Sequence, residues 1–157
     1  MNILNRRANF PAFTVVGSTI KTQNNPEGFQ AIGQLWQNFL NAGAGQNISH
    51  RQNSDVVALY HTYEGDATAP YHLTIGVSVA KHSEMLDEGL SCVHVPSATY
   101  EVFSLANQTG MDSAQACFTL WQHIWQQADL KRSYSIDFEV HKPDGSVEVY
   151  ISVKPDR

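Results

Sequence analysis

The chain has 157 residues and a formal charge of −5, and charged residues make up only 16 % of it. This length suits one domain, which we predict to span residues 1–157. The acidic balance and the lack of a Lys/Arg cluster argue against direct binding to nucleic acid. The N-terminus lacks the apolar run of a signal peptide, and no segment reaches the roughly 20 apolar residues of a membrane span. We therefore expect a cytoplasmic protein without membrane contact.

The first predicted elements are a strand and an amphipathic helix. Residues 13–20 have strand composition. Asn25 suits an N-cap and Pro26 suits the first helical position, so a helix should begin here. Gly43 suits the C-terminal cap. Apolar residues between these limits recur at helical spacing and form one stripe: Phe29, Ile32, Leu35, Trp36, Phe39 and Leu40.

A β-hairpin follows in the sequence. Residues 55–63 have strand composition, and residues 71–79 alternate between apolar and polar side chains. Glu64-Gly65-Asp66 supplies turn-forming residues between them. The charged segment 81–89 is the best candidate for a connector between two halves of the chain.

The second half begins with two strand-like segments, residues 90–95 and 98–105, which Pro96 separates. Asp112 and Gln115 then have the spacing of a capping box, which predicts the start of a second helix. The apolar stripe of that helix consists of Ala114, Cys117, Phe118, Trp121, Ile124, Trp125 and Ala128.

The strand predicted at residues 133–141 carries an acid, Glu139, in an alternating pattern that turns Phe138 toward a core. A turn and a last strand, residues 146–153, follow. A polar strand face is most often simply solvated, and this is one reading of Glu139. If Glu139 faces a groove instead, the groove lies on the face away from Phe138, or a bulge turns the carboxylate inward.

The two halves share one element order: strand, amphipathic helix, then two strands in a hairpin. Leu35-Trp36-Gln37 recurs 85 residues later as Leu120-Trp121-Gln122, at similar positions of the two helices. The pattern favours an internal duplication with pseudo-repeats at about residues 10–80 and 90–155. Such a duplication would place a cleft where the halves meet.

Several segments carry a resemblance to a known family. They are residues 59–66 with 71–76, residues 95–103, residues 137–140 and residues 149–153, in this order. Together they resemble the effector-binding domain family, the GyrI-like or AraC-type group, and within it the stand-alone proteins associated with integron cassettes. The resemblance covers nearly the whole chain.

The resemblance implies an α+β fold made of duplicated strand-helix-hairpin units with pseudo-two-fold symmetry. An antiparallel sheet would carry two helices on one side, with a groove between the halves. It also implies binding of lipophilic organic cations by an acidic residue in an aromatic pocket, and Glu139 matches the family's acidic strand motif. The chain lacks the DNA-binding region of the family's regulators. A role in transcription regulation would then require a protein partner that has a DNA-binding domain.

The predicted ligand-binding residues are one carboxylate and five aromatic side chains. A buried carboxylate and aromatic faces together replace the hydration of an organic cation. Because an unliganded carboxylate in an apolar site is poorly solvated, we expect a raised pKa for Glu139, with ligand binding lost as the pH falls through it. Trp36, Phe39 and Trp125 lie within the apolar stripes, where packing in the core is the more frequent role, whereas the hydroxyls of Tyr60 and Tyr71 suit a pocket wall. The complete set is Glu139, Trp36, Phe39, Tyr60, Tyr71 and Trp125.

The sequence predicts neither a metal site nor a cofactor. Its seven histidines and two cysteines have no compact ligand spacing, although His61 and His72 could face each other across the hairpin. Two alternatives to simple ligand binding stay open. One is a small hydrolase that acts on electrophilic compounds and uses the same Glu139 as nucleophile or general base. The other is a module that passes a ligand signal to a transcription regulator, through an exposed sheet edge for example.

Overall fold

The computed structural model describes residues 2–43, 45–80 and 89–154. Within these ranges no helix is long and apolar enough to cross a membrane. The helices and strands follow one another as β1 (Ile3–Phe10), β2 (Phe13–Thr22), α1 (Pro26–Asn41), β3 (Val56–His61), β4 (Tyr71–Val79), β5 (Ser91–Val95), β6 (Ala98–Leu105), α2 (Ser113–Trp125), β7 (Asp137–His141) and β8 (Val147–Ser152).

The strands of the described ranges form one antiparallel sheet in the order β1-β6-β8-β7-β3-β4-β2-β5. This order is unchanged when β1 to β4 are exchanged with β5 to β8 and the sheet is read from its other edge. The pseudo-two-fold axis therefore passes between β3 and β7. The predicted α+β fold of two strand-helix-hairpin units is confirmed.

The strand β1 is absent from the sequence prediction. Its middle residues are polar and mostly exposed, so the segment lacks the alternation that marks a half-buried strand. It forms because β6 offers a partner along its whole length, from Ile3 opposite Leu105 to Phe10 opposite Ala98. By the same exchange β5 pairs with β2, so each half contributes an edge strand to the other half.

Both helices pack on one face of the sheet. Residues paired in register share a face, and Ala58, Glu139 and Val149 are such a row across β3, β7 and β8. Ala58 belongs to the core under α1, and Val149 belongs to the core under α2. Glu139 thus lies on the helix-covered face, between the two helices.

The opposite face of the sheet holds an aromatic core. Phe138 pairs with Leu59 and with Tyr150, and the Phe138 and Tyr150 rings stack with centroids 4.4 Å apart. Phe10 and Phe13 pack edge-on against Phe138 at 5.4 Å and 5.0 Å. Because the Phe138 side chain is closely packed among these rings, the backbone at the neighbouring Glu139 is fixed in place.

The helix limits follow the predicted caps. The Asn25 side chain accepts a hydrogen bond from the Gly28 amide at 2.7 Å. Asp112 and Gln115 form the reciprocal pair of a capping box. The helix α1 ends at Asn41, and Gly43 has a φ of +97°. Residues 81–88 of the predicted connector lie outside the described residues.

The strand β7 is shorter than predicted, since it begins at Asp137 rather than at residue 133. Tyr134 has a φ of +52°, which interrupts an extended strand. From Asp137 onward the pairing with β3 is continuous, so no bulge turns Glu139 inward. Of the two arrangements open from the sequence, the groove lies on the face away from Phe138.

Candidate functional site

A cavity of about 710 Å³ lies between the two helices, with β3 and β7 as its floor. This volume is within the range of small-molecule pockets. Its lining is mainly aromatic and aliphatic, and all three tryptophans of the chain contribute to it. The principal lining residues are Phe29, Ile32, Trp36 and Leu40 from α1, Cys117, Phe118, Trp121 and Trp125 from α2, and Tyr60, Tyr63, Tyr71, Arg132, Glu139 and His141 from the sheet side.

The facing flanks of α1 and α2 leave large apolar side chains partly in solvent. Phe29 is 46 % exposed, Leu40 54 %, Phe118 57 % and Trp125 43 %. All four line the cavity, and the Phe29 and Trp125 rings meet across its mouth with centroids 6.5 Å apart. A continuous exposed apolar rim of this kind is typical of a binding groove.

Glu139 is the buried acid of the cavity, with only 1 % of its surface exposed. Its Oε2 accepts hydrogen bonds from the Tyr60 hydroxyl and from Trp121 Nε1, the latter at 2.7 Å. Its Oε1 lies 2.7 Å from His141 Nε2. Every donor comes from a different element or position, so the carboxylate is held rigidly although it is removed from water.

The pKa of Glu139 differs from the sequence expectation. Burial raises this pKa, but the hydrogen bonds from His141, Tyr60 and Trp121 and the charge of His141 outweigh burial and hold it below its ordinary value. The expectation of a raised pKa was wrong, because it treated the carboxylate as poorly solvated. Polar donors replace the missing water. Conversely, burial and the Glu139 charge raise the pKa of Tyr71 to about 12.

A second buried acid lies beside the first on β7. Asp137 has no exposed surface and accepts hydrogen bonds from the amide and hydroxyl of Ser152, from Tyr63 and from Arg132. The Arg132 guanidinium lies 2.7 Å from the Asp137 carboxylate and 4.3 Å from the Tyr134 ring centroid. Arg132 and Asp137 therefore neutralise each other at the edge of the cavity, whereas Glu139 has His141 and no Lys or Arg as its ion-pair partner among the described residues.

The structure brings five of the six predicted site residues to the cavity. These five are Glu139 and four aromatic rings, and their contact with a ligand stays a prediction. Phe39 does not line the cavity: it is 5 % exposed and packs in the core under α1. Its helical position points to the sheet, whereas the cavity-lining positions of α1 lie on the flank. The four rings are those of Trp36, Tyr60, Tyr71 and Trp125.

Sequence reasoning missed several cavity residues. The clearest is Trp121, whose indole donates to Glu139. A signal for it existed, since Trp121 occupies the same place in the Leu-Trp-Gln repeat as Trp36. His141 was identifiable as a same-face neighbour two residues from Glu139. Cys117 and Arg132 had no comparable signal, because only the packing of α2 and the turn before β7 bring them to the cavity.

Two local clusters contain histidines. The rings of His61 and His72 stack across the hairpin with centroids 5.9 Å apart, as the sequence suggested. Burial and the neighbouring His72 lower the pKa of His61 to about 4. In the cavity, donor atoms of Cys117, Glu139 and His141 all lie within 4.8 Å of one another. These three side chains could hold a metal ion.

Residues 8–153 match the family of integron-associated effector binding proteins, Cass2. The chain belongs to this family. The cavity between the helices is therefore the candidate effector site of an integron-associated effector binding protein. No curated protein matches the chain in sequence.

Solved structures share the fold of this effector binding protein. An integron cassette protein from the mobile metagenome of Vibrio cholerae is 27 % identical with a TM-score of 0.77, and the match covers 98 % of this chain and 100 % of that one. SAV2435 bound to tetraphenylphosphonium is 16 % identical with a TM-score of 0.72, over 96 % of this chain and 94 % of that one. The EcmrR C-terminal domain is 14 % identical with a TM-score of 0.57, over 99 % and 100 %.

Proposed function

We propose that this protein binds lipophilic organic cations in the cavity between its helices, with Glu139 as the counter-charge. The observation that carries the proposal is a buried carboxylate in the wall of a 710 Å³ aromatic cavity. The structure of SAV2435, which shares the fold and holds tetraphenylphosphonium, supports the same ligand class.

The charges around the cavity favour a cation. Among the described residues no Lys or Arg forms a salt bridge with Glu139, and its ion-pair partner is His141. The cations of the cavity wall have other partners, since Arg132 pairs with Asp137 at 2.7 Å and Lys142 pairs with Glu148 at 3.8 Å. A bound cation would thus be the stronger counter-ion of Glu139, at the distances where opposite charges in a partly dry site attract each other by several kcal/mol, on the order of 4 at an effective dielectric of 20.

The rings of the cavity supply the second part of the binding energy. Trp36, Tyr60, Tyr71 and Trp125 surround the space beside Glu139. Each cation–π contact contributes about 0.5 to 2 kcal/mol. Two or three such contacts and the carboxylate together contribute about 5 to 10 kcal/mol. This range includes micromolar affinity, about 8 kcal/mol, without shape-specific hydrogen bonds. The site would therefore tolerate cations of different shapes.

The exposed rim explains why the cation should be lipophilic. Phe29, Leu40, Phe118 and Trp125 leave apolar surface in water in the unliganded protein. Aromatic substituents of a ligand would cover this surface, and each square ångström of buried apolar area contributes about 25 cal/mol. A small hydrated cation such as ammonium has no such contribution and should bind poorly.

The test is a titration with rhodamine 6G, followed by quenching of tryptophan fluorescence. All three tryptophans line the cavity, so a ligand there must change their emission. Glu139→Gln keeps the shape of the side chain and removes the charge. Glu101→Gln is the matched control, since Glu101 lies on β6, is paired with Arg7 and does not line the cavity.

We expect saturable micromolar binding that weakens at least about tenfold in Glu139→Gln, equivalent to 1.4 kcal/mol. Glu101→Gln should bind like the native protein. Equal affinity of the native protein and Glu139→Gln would contradict the proposal, as would absence of quenching by any of several lipophilic cations.

A protein partner with a DNA-binding domain is a second part of the proposal. The EcmrR C-terminal domain shows that this fold occurs within a transcription regulator. Capture of host proteins on the immobilised protein, with and without tetraphenylphosphonium, tests it. Ligand-dependent recovery of a protein that has a DNA-binding domain would support the partner, and identical captures in both arms would count against it.

A further inference from the structure

The cavity wall contains a thiol, a carboxylate and an imidazole in one group. Cys117 extends from α2, and Glu139 and His141 extend from the same face of β7. Their sulfur, oxygen and nitrogen donor atoms all lie within 4.8 Å of one another. We propose that these three side chains form a binding site for a divalent transition metal, best matched by zinc, whose fourth coordination position faces the cavity.

The donor set selects the metal class. Zinc binds cysteine sulfur, histidine nitrogen and carboxylate oxygen, and three protein ligands with one open position are typical of its accessible sites. Calcium and magnesium prefer oxygen donors throughout, so a site with sulfur and nitrogen donors disfavours them. Tetrahedral coordination places ligand atoms about 3.3 Å apart. Glu139 Oε1 and His141 Nε2 lie 2.7 Å apart, so a metal between them would separate them slightly, and rotation of the Cys117 side chain would bring its sulfur within reach.

The groups behind the proposed ligands would support a metal. Trp121 Nε1 and the Tyr60 hydroxyl hold Glu139 Oε2, which leaves Oε1 directed at His141 Nε2. The Trp36 ring packs against the His141 ring at 4.6 Å and limits its rotation. Hydrogen-bonded and packed second neighbours of this kind orient metal ligands in proteins.

The binding step follows from these contacts. The metal would take the place of the hydrogen bond between His141 Nε2 and Glu139 Oε1. The Cys117 thiol would release its proton to solvent as the sulfur–metal bond forms. The proton that His141 Nε2 donates to Glu139 would also be released to solvent or would move to Nδ1, so that the metal binds an unprotonated Nε2 of a neutral imidazole. No oxidation occurs. Because Glu139 is also the proposed counter-charge for organic cations, the metal and an organic cation would compete for one carboxylate.

The proposal is tested with Co²⁺ as a spectroscopic substitute and with Zn²⁺ by competition against a chromophoric chelator. A thiolate ligand gives Co²⁺ an intense sulfur-to-metal charge-transfer band in the near ultraviolet. The variants are Cys117→Ser and His141→Gln. Cys92→Ser is the matched control, because Cys92 is the other free cysteine and lies on β5 outside the cavity.

We expect one Co²⁺ per chain with the charge-transfer band, which Cys117→Ser removes and Cys92→Ser retains. Loss of a residue that hydrogen-bonds to a metal ligand typically weakens metal affinity by roughly 10- to 100-fold, so loss of a direct ligand should weaken Zn²⁺ binding by more than that. Thermal unfolding of each metal-free variant establishes that it is folded. Absence of the band in the native protein, or the same Zn²⁺ affinity in Cys117→Ser and His141→Gln as in the native protein, would overturn the proposal.

A competition experiment separates this inference from the proposed function. Saturating Zn²⁺ should weaken rhodamine 6G binding to the native protein and leave that of Cys117→Ser unchanged. Rhodamine 6G binding without any Zn²⁺ binding would overturn the metal site alone. Zn²⁺ binding without rhodamine 6G binding would support the metal site while it contradicts the cation proposal.

Discussion

Removal of one hydroxyl group tests how Glu139 is stabilised in the unliganded protein. Tyr60→Phe deletes one of the donors to Glu139 Oε2 and leaves the ring, which packs against the Tyr71 and Trp121 rings at 5.7 Å and 5.2 Å. The apolar packing of residue 60 is therefore conserved. The change in stability then reports the hydrogen bond alone.

The expected loss of folding stability is large for the removal of one oxygen atom. A hydrogen bond to a charged group contributes about 1.5 to 3 kcal/mol, and the Glu139 carboxylate has 1 % exposure and cannot recruit water freely. We therefore expect Tyr60→Phe to lower the free energy of unfolding at pH 7 by about 2 kcal/mol. The remaining donors, Trp121 and His141, keep the carboxylate ionised, so the protein should still fold.

Urea unfolding at pH 7, followed by tryptophan fluorescence, measures this loss. Tyr150→Phe is the control, since its hydroxyl makes a longer bond of 3.3 Å to Glu148, which is partly exposed. Its loss should be near the lower end of the usual range, about 0.5 kcal/mol. The same two variants in a Glu139→Gln background complete a double-mutant cycle.

The cycle contains the result that would refute this reasoning. Tyr60→Phe should lose at least about 1 kcal/mol of its effect when residue 139 is neutral, because the two groups are in direct contact. An equal loss in both backgrounds, or a loss no larger than that of Tyr150→Phe, would mean that the hydroxyl does not stabilise the Glu139 charge.

Three further predictions concern acid, an ion pair and the cavity wall. The folded-state pKa of Glu139 lies below its ordinary value of 4.5, so the ionised carboxylate stabilises the fold fully above pH 4.5. This contribution is lost as the pH falls through the lowered pKa. In that range, thermal unfolding should show the native protein losing stability relative to Glu139→Gln. Arg132→Met should lower the free energy of unfolding in urea by about 3 kcal/mol, since it leaves the buried Asp137 carboxylate without its ion-pair partner. A loss below about 1 kcal/mol would contradict the pairing. Phe39→Leu should cost about 1 kcal/mol of stability and leave the rhodamine 6G affinity unchanged. Trp36→Leu should weaken that affinity about fivefold, or 1 kcal/mol. A larger loss of affinity in Phe39→Leu than in Trp36→Leu would place Phe39 at the site.

Local signals in the sequence were sufficient for most of the fold. The caps at Asn25 and Asp112 and the two apolar stripes predicted both helices, because hydrogen bonding and helical spacing act over a few residues. The strand β1 escaped prediction, since its polar sequence becomes a strand only through pairing with distant β6. The positive φ of Tyr134, which shortens β7, likewise has no marker in residue type.

The candidate site was predicted in its central acid and only partly in its surroundings. Alternation placed Glu139 opposite Phe138, and the structure shows that this polar face is covered by helices rather than by solvent. The helical stripe did not separate Phe39, which faces the sheet, from Trp36, which faces the cavity. The donors that lower the pKa of Glu139 depend on side-chain geometry across β3, α2 and β7, which periodicity does not encode.

The central claim is that the cavity selects positive charge through Glu139. The most direct measurement compares tetraphenylphosphonium with tetraphenylborate by isothermal titration calorimetry, because these ions are nearly equal in size and shape and opposite in charge. We predict micromolar binding of the phosphonium and binding of the borate that is weaker by at least about 100-fold, or 2.8 kcal/mol. Equal binding of both ions would show that apolar contact alone holds the ligand, and preference for the borate would assign the selectivity to Arg132 and Lys142 in the cavity wall instead.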